Sequence, residues 1–201
     1  MGKIKVIFFD IGGVYCRESG ACAVMKASNL TNRSFEDVLK IFHEILKDFG
    51  VGNVSPEEYY SFLSSELGID TGTLAEIWTD DELFVINPDV ESLIVELKKR
   101  NYTVASITDV DPIHTKIRTE RGIYNAFEFV IDSISVRAQK KFGKVIYEKA
   151  LEMAKTEPEE CIMIDDTPEK LVPAKELGMH TILFMDAGQL KKELMEFGVE
   201  I

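Results

Sequence analysis

The sequence predicts an α/β protein: a doubly wound parallel sheet combined with a small all-helical domain. Short, nearly continuous apolar runs alternate with segments of helical periodicity, which is the pattern of βαβ units in a parallel sheet. One long interval, residues 17–86, breaks this alternation and shows helical periodicity alone. A chain of 201 residues that is 45% hydrophobic can bury the core of one domain, or of one domain with a small insert.

Five segments rich in β-branched and aromatic residues are predicted to be strands. Their apolar residues are nearly continuous rather than alternating, so each strand is expected to be buried on both faces. The segments are residues 5–9, 102–107, 127–131, 161–164 and 181–184.

Helices are predicted between most of these strands. Pro88 begins a segment with apolar residues at helical spacing, and the basic run 98–100 suits a helix C-terminus because cations stabilise that end. Gly122 and Gly178 are typical of the residue that ends a helix. The other predicted helices cover residues 112–121, 144–156, 168–177 and 189–197.

The interval that breaks the alternation is predicted to be a small all-helical insert between the first strand and the rest of the core. It is too long for an ordinary βα connection, and it has apolar stripes of its own, such as the one through Leu39 and Phe42. The predicted domains are a core of residues 1–16 and 87–201 and a helical insert of residues 17–86.

Charge and cysteine content argue against several classes of protein. The 35 acidic and 23 basic residues give a net charge of −12, which opposes attraction to nucleic acid or to an anionic membrane. The 3 cysteines have no CxxC spacing and indicate neither a disulfide framework nor a zinc site. No apolar stretch approaches the ~20 residues that a membrane span needs, and no signal-peptide pattern precedes the first strand. We therefore expect a cytoplasmic protein that binds neither nucleic acid nor membranes.

Side chains capable of catalysis lie at the carboxyl ends of the predicted strands. They are Asp10 after the first strand, Thr108 after the second, Asp165 and Asp166 after the fourth, and Lys141 in a loop before a helix. Because parallel strands end on the same edge of a sheet, these side chains are expected to converge there. A carboxylate can attack phosphorus, a hydroxyl can hold phosphate oxygens, and a lysine can offset charge in the transition state. Further carboxylates can hold Mg²⁺, which prefers oxygen ligands.

Four motifs at these places resemble those of the haloacid dehalogenase-like hydrolase superfamily, in the same order and over nearly the whole chain. FFDIGGVY looks like its nucleophile motif, TDVDPIH like the second motif, KKFGKVIYEKAL like the lysine motif, and IDDTPEKLVPAKELGMHTILF like the acidic motif with the segment after it. The resemblance implies a Rossmann-like core. The helical insert lies where many of these enzymes carry a cap, so the resemblance implies that residues 17–86 are a helical cap domain.

The resemblance also implies a role for each of these residues. Asp10 would be the nucleophile that forms an aspartyl-phosphate, with Thr108 and Lys141 as the other catalytic residues. The implied phosphate-binding residues are Thr108, Asp109, Lys141 and Gly13. The implied Mg²⁺ ligands are Asp10, Gly12 through its carbonyl, and Asp165 or Asp166. The expected activity is that of a Mg²⁺-dependent phosphomonoesterase acting on a small phosphorylated metabolite.

Two residues depart from the pattern of the superfamily at the metal and proton-transfer positions. Its phosphatases usually have an acid/base aspartate two residues after the nucleophile, where this chain has Gly12. Losing such a group typically lowers the rate roughly 10²–10⁴-fold. Lys170 replaces an Asp or Asn that often supports the metal, and a cation there would weaken Mg²⁺ binding unless it points away.

The choice of lysine is open as well. Phe142 replaces the proline that usually follows the lysine of the third motif. The motif therefore does not fix which lysine of this segment corresponds to the family's lysine, and Lys140 or Lys144 could take the role of Lys141.

Two alternative functions are also left open. The first is a catalytically weak phosphate- or partner-binding protein that retains the fold, which Gly12 and Lys170 favour. The second is a 2-haloacid dehalogenase, in which an aspartate attacks carbon without a metal. The absence of an acid two residues after Asp10 fits that chemistry, whereas the pair Asp165 and Asp166 does not.

Overall fold

The computed structural model describes residues 3–17 and 20–201, and these ranges contain the predicted parallel sheet. Its strands are β1 (Val6–Phe9), β2 (Thr103–Thr108), β3 (Val130–Asp132), β4 (Cys161–Asp165) and β5 (His180–Leu183). They are ordered β3-β2-β1-β4-β5, and every neighbouring pair is parallel. Since β1 lies between β2 and β4, the strand order reverses at its carboxyl end, which is where ligands bind in such sheets.

Helices cover both faces of the sheet, as the alternating pattern predicts. The helices in the described ranges are α1 (Gly20–Thr31), α2 (Phe35–Phe49), α3 (Pro56–Leu67), α4 (Thr71–Trp78), α5 (Pro88–Lys99), α6 (Pro112–Glu120), α7 (Ser133–Val136), α8 (Val145–Ala154), α9 (Pro168–Leu177) and α10 (Ala187–Glu196). Successive residues of β1 point to opposite faces. Ile7 and Phe9 join the hydrophobic cluster that includes residues of α5 and α10, whereas Val6 and Phe8 join the cluster with α8 and α9.

Helices α1–α4 build a third hydrophobic cluster of their own. Phe49 stacks on Tyr59 with ring centroids 4.0 Å apart, and Phe42 and Trp78 pack beside them. The chain enters and leaves this helical segment side by side, because Asn87 N–H donates to the Tyr15 carbonyl at 2.8 Å. A separate cluster with adjacent entry and exit is consistent with the predicted cap. Its boundaries stay a prediction, and residues 1–2 of the predicted core and 18–19 of the predicted cap lie outside the described ranges.

The third strand differs from its predicted position, residues 127–131. The ladder runs only over Val130–Asp132. Phe127 N–H instead donates to the Tyr124 carbonyl and closes a 3₁₀ turn, Ile123–Ala126, while the Phe127 ring packs edge-on against Tyr15 at 5.2 Å. The apolar run therefore contains core residues that lie before the strand begins.

None of the helices in the described ranges has the length and apolar character needed to cross a membrane. The expected location in the cytoplasm and the expected lack of nucleic-acid binding stay predictions from composition.

Candidate active site

Asp10 directly follows β1 and is buried, with 2% of its surface exposed. Its N–H donates to the Ile164 carbonyl of β4 at 2.8 Å, so the hydrogen-bonded ladder continues one residue beyond the strand. Its carboxylate Oδ1 accepts a hydrogen bond from Ile11 N–H at 2.7 Å. These contacts hold the carboxylate at the sheet edge where the strand order reverses.

Lys140 is the lysine that the structure brings to Asp10. Its Nζ lies 2.7 Å from Asp10 Oδ2 and 2.6 Å from Asp165 Oδ2. All three side chains are buried. The Lys140 ammonium group thus forms ion pairs with two carboxylates, Asp10 after β1 and Asp165 at the end of β4.

The turn Lys140–Phe142 places Lys140, one of the two alternatives, beside Asp10 rather than the predicted Lys141, and the catalytic role of the lysine stays a prediction. Lys140 N–H donates to Asp109 Oδ1 at 2.9 Å, which holds the start of this 3₁₀ turn against the sheet edge. The side chain of Lys140 is then directed inward, and the next residue, Lys141, is exposed. Lys144, the other alternative, lies farther out and pairs with Glu176 at 3.4 Å.

The charges of this site keep Asp10 ionised. Burial raises the pKa of Asp10, but the ammonium groups of Lys140 and Lys170 outweigh burial and lower that pKa to about 2. Burial and the nearby charge of Asp10 raise the pKa of Asp165 to about 7. Burial alone would lower the pKa of Lys140. The carboxylates of Asp10, Asp165 and Asp109 outweigh burial and raise that pKa above its ordinary value, so the group is charged at neutral pH.

Asp10, Asp165 and Asp166 form an acidic group, with one carboxylate oxygen of each lying within 4.8 Å of the others. Asp166 is exposed and accepts a hydrogen bond from the Thr167 hydroxyl at 3.1 Å. A Cβ atom at Gly13 would lie 2.1 Å from Asp166 Oδ2, and the φ angle of +78° at Gly13 also favours glycine. Hard carboxylate oxygens at this spacing are a donor set that suits Mg²⁺.

Lys170 points toward the acidic group rather than away from it. It lies in the first turn of α9, and its Nζ is 3.7 Å from Asp10 Oδ2 and 4.0 Å from Asp109 Oδ2. The side chain is 25% exposed, whereas that of Lys140 is fully buried. A cation so close to Asp10 opposes the binding of a second cation there.

Thr108 ends β2, and its hydroxyl is completely buried beside an arginine. Thr108 Oγ1 accepts a hydrogen bond from Arg118 Nη1 at 3.1 Å and donates to the Asp109 carbonyl at 3.3 Å. Arg118 of α6 is only 3% exposed, and the sequence interpretation missed it. The signal was the spacing of Asp111, His114 and Arg118, which places all three on one helix face.

A cavity of about 300 Å³ lies between Asp10 and the helices α1, α2 and α4. Its lining includes Asp10, Gly12 and Lys170 at the sheet edge and Ala23, Leu46 and Trp78 on the opposite side. The cavity therefore presents charged groups next to Asp10 and apolar groups opposite it.

His114 joins the two sides of this cavity. Its ring stacks on Trp78 with centroids 5.0 Å apart, and Nε2 lies 2.8 Å from the Trp78 carbonyl oxygen. Its Nδ1 lies 2.9 Å from Asp111 Oδ2. Because both ring nitrogens face oxygen acceptors, the geometry favours the imidazolium form, which donates from both.

This fold and this site define a class of protein, and residues 4–178 match the family described as haloacid dehalogenase-like hydrolase. The chain belongs to that family and is a hydrolase. Two relatives are phosphatases. Glyceraldehyde 3-phosphate phosphatase of Pyrococcus furiosus is 26% identical over 200 residues, covering 92% of this chain and 82% of the relative. The sesquiterpene phosphatase astK of Aspergillus oryzae is 25% identical over 179 residues, covering 87% of each chain.

Solved structures share the fold at lower identity. The HAD family enzyme BT-2542 of Bacteroides thetaiotaomicron, in complex with magnesium and inorganic phosphate, has a TM-score of 0.75 and 21% identity, covering 93% of this chain and 98% of that one. The L-2-haloacid dehalogenase of Xanthobacter autotrophicus has a TM-score of 0.64 and 15% identity, covering 98% of this chain and 85% of that one. One of these structures holds magnesium and phosphate and the other is a dehalogenase, so the shared fold does not choose between phosphatase and dehalogenase chemistry, and the choice depends on the residues of the site.

Proposed function

We propose that this chain is a Mg²⁺-dependent phosphomonoesterase that acts on a small phosphorylated metabolite, with Asp10 as the nucleophile. The observation that carries the proposal is the ionised Asp10 carboxylate, which lines the cavity and is paired with Lys140. The names of the two phosphatase relatives and the magnesium and phosphate bound to BT-2542 support it. A cavity of about 300 Å³ suits a small ligand.

In the proposed reaction, a carboxylate oxygen of Asp10 attacks phosphorus, the bond to the leaving-group oxygen breaks, and an aspartyl-phosphate forms. Water then attacks the same phosphorus, which releases inorganic phosphate and restores Asp10. The leaving oxygen takes up one proton and the water gives up one, so the overall reaction is balanced. The Lys140 ammonium offsets the negative charge of Asp10 while the anionic phosphate approaches.

The acidic group fits a Mg²⁺ ion, which when bound would supply positive charge that screens the nucleophile from the phosphate. Asp10, Asp166 and the carbonyl of Gly12 would hold it, with Asp165 as a further ligand. Because Gly12 has no side chain, no acid at that position can give a proton to the leaving group. Helices α1, α2 and α4 cover the cavity and would exclude water and select the leaving group.

Phosphate release from a panel of phosphomonoesters, measured with and without Mg²⁺, tests this proposal. The panel includes glyceraldehyde 3-phosphate and a sesquiterpene phosphate, because two relatives are named for those substrates. Asp10→Asn should abolish turnover. Asp70→Asn is the matched control, because Asp70 caps the exposed start of α4 and asparagine is an equally good cap. Turnover that survives in Asp10→Asn, or that needs no Mg²⁺, would contradict the proposal.

A catalytically weak phosphate-binding protein is the second candidate, favoured by Gly12 and by the 3.7 Å between Lys170 Nζ and Asp10 Oδ2. Beryllofluoride with Mg²⁺ mimics an aspartyl-phosphate, so it should raise the Tm of a competent enzyme but not of Asp10→Asn. Absence of both turnover and stabilisation would favour the second candidate. Chloride release from 2-chloropropionate without a metal would instead indicate a dehalogenase.

A further inference from the structure

We propose that Lys170 is a substrate-binding residue whose ammonium group binds the phosphate that Asp10 attacks. The proposal rests on the proposed function, because it concerns the same site. It assigns to Lys170 a role that differs from that of Lys140, and three observations carry it: the accessibility of the group, its place beside the attacking oxygen, and its position on α9.

Of these two lysines that reach Asp10, Lys170 is the one that an incoming anion can contact. Lys140 is fully buried and held at 2.7 Å and 2.6 Å between Asp10 and Asp165. Lys170 lines the cavity and is 25% exposed. Its distances of 3.7 Å to Asp10 and 4.0 Å to Asp109 are longer than hydrogen bonds, so its ammonium is attracted by both carboxylates without being bound tightly by either.

The Lys170 ammonium lies beside a carboxylate oxygen of Asp10, next to the place that a reacting phosphate would occupy. A substrate ready to react holds its phosphorus about 3–3.5 Å from the attacking oxygen. The non-bridging oxygens, which surround the phosphorus, then lie close to the attacking oxygen, and Lys170 Nζ is 3.7 Å from Asp10 Oδ2. A charged donor at this distance can form a hydrogen bond to one of them with a small rotation of its side chain.

The position of Lys170 on α9 is unfavourable for the helix alone. The first turn of a helix stabilises anions and disfavours cations. The backbone here is fixed, because Lys170 N–H donates to the Thr167 carbonyl at 3.1 Å and the buried Tyr147 hydroxyl donates to the Lys170 carbonyl. A bound phosphate would remove the conflict, since it would interact favourably with both the helix N-terminus and the ammonium group.

Calorimetric titration with inorganic phosphate at saturating Mg²⁺ tests this role. Lys170→Met and Lys170→Gln should each raise the Kd for phosphate by about 10- to 100-fold, the usual value of a hydrogen bond to a charged group. Lys170→Arg should restore part of the affinity. Lys175→Met is the matched control: it removes an exposed lysine from the same helix and should leave the Kd unchanged.

Titration with Mg²⁺ alone separates phosphate binding from metal binding. Removing the positive charge of Lys170 should leave the affinity for Mg²⁺ equal or higher, so a weaker phosphate complex would not result from a lost metal. Equal phosphate affinity in wild type and Lys170→Met, or no phosphate binding by wild type, would overturn the inference. If wild type binds phosphate through Lys170 but hydrolyses no ester, the inference stands and the proposed function fails. If wild type hydrolyses esters and Lys170→Met keeps the same KM and Kd, the proposed function stands and the inference about Lys170 fails.

Discussion

Replacing Lys140 by methionine should destabilise the fold and lower the activity, whereas the same replacement of its neighbour Lys141 should do neither. Methionine keeps much of the length of lysine and removes the charge. The pair of variants compares two adjacent residues of the same type, of which one is buried between carboxylates and the other is exposed. The comparison therefore tests the assignment of the lysine directly.

The magnitude follows from what Lys140→Met would leave behind. Asp10 and Asp165 would remain as neighbouring buried carboxylates without the ammonium that joins them at 2.7 Å and 2.6 Å. Removing one partner of a buried ion pair costs about 3–5 kcal/mol. Asp165, with a pKa of about 7, can take up a proton and limit this cost, so we expect about 3 kcal/mol. At the exposed Lys141, the change should stay within about 0.5 kcal/mol.

Urea unfolding of the metal-free protein at pH 7.5 measures the difference in the free energy of unfolding. Phosphate release in the presence of Mg²⁺ measures the activity. Lys140→Met should lower kcat about 10²–10³-fold, because it removes a charged group that stabilises the transition state. Lys141→Met should match wild type in both assays. A Lys141→Met variant that is as unstable or as slow as Lys140→Met would refute the assignment.

Two further predictions concern the edges of the site. Gly13→Ala would place a Cβ 2.1 Å from Asp166 Oδ2 and should weaken Mg²⁺ binding in calorimetry, besides costing about 1–2 kcal/mol for its left-handed backbone. Gly198→Ala has nearly the same φ, +77°, with nothing within 4 Å of the added carbon, so equal losses of Mg²⁺ affinity in both variants would exclude crowding at Asp166 as the cause. Asp111→Asn should keep the cap of α6 but remove a pH-dependent contribution to stability. Burial raises the pKa of Asp111, but His114 and backbone hydrogen bonding outweigh burial and hold that pKa below its ordinary value. The stability that the charge contributes is therefore present above the unfolded pKa of about 4 and is lost as the pH falls through the lower folded pKa. The difference in unfolding free energy between wild type and Asp111→Asn should therefore shrink as the pH falls below the unfolded pKa. A difference that does not change with pH would contradict this reasoning.

The convergence of the acidic residues was predictable because it depends only on the direction of the strands. Asp10 and Asp165 each lie at the carboxyl end of an apolar run, and a parallel sheet brings such ends to one edge. The apolar runs and the Pro-initiated helices are local signals, so they could be recognised without knowledge of the partner elements. The same holds for the self-contained apolar stripes of the helical segment.

The sequence could not show whether Lys140 or Lys141 lies beside Asp10, because the orientation of these side chains depends on a contact between distant parts of the chain. Lys140 N–H binds Asp109, a residue 31 positions earlier, and this bond determines which side chain of the turn points inward. A shift of one residue in a 3₁₀ turn rotates the side chain by about 120°, since such a helix has about three residues per turn, and no local pattern distinguishes Lys140 from Lys141. The stacking of His114 on Trp78 is equally non-local, since the two residues lie 36 positions apart in the chain.

Gly12 and Lys170, which both depart from the family pattern, act on different parts of the proposed reaction and therefore have different consequences. Gly12 removes a side chain that would give a proton to the leaving oxygen, so it affects the breaking of that bond and depends on how basic the leaving group is. Lys170 adds positive charge beside the attacking oxygen, so it affects the approach of the anionic phosphate and depends little on the leaving group. A chain with both features would bind phosphate well and would hydrolyse fastest those esters whose leaving groups need no proton. Weak activity on ordinary alkyl phosphates would then reflect the choice of substrate rather than the loss of the nucleophile, Asp10.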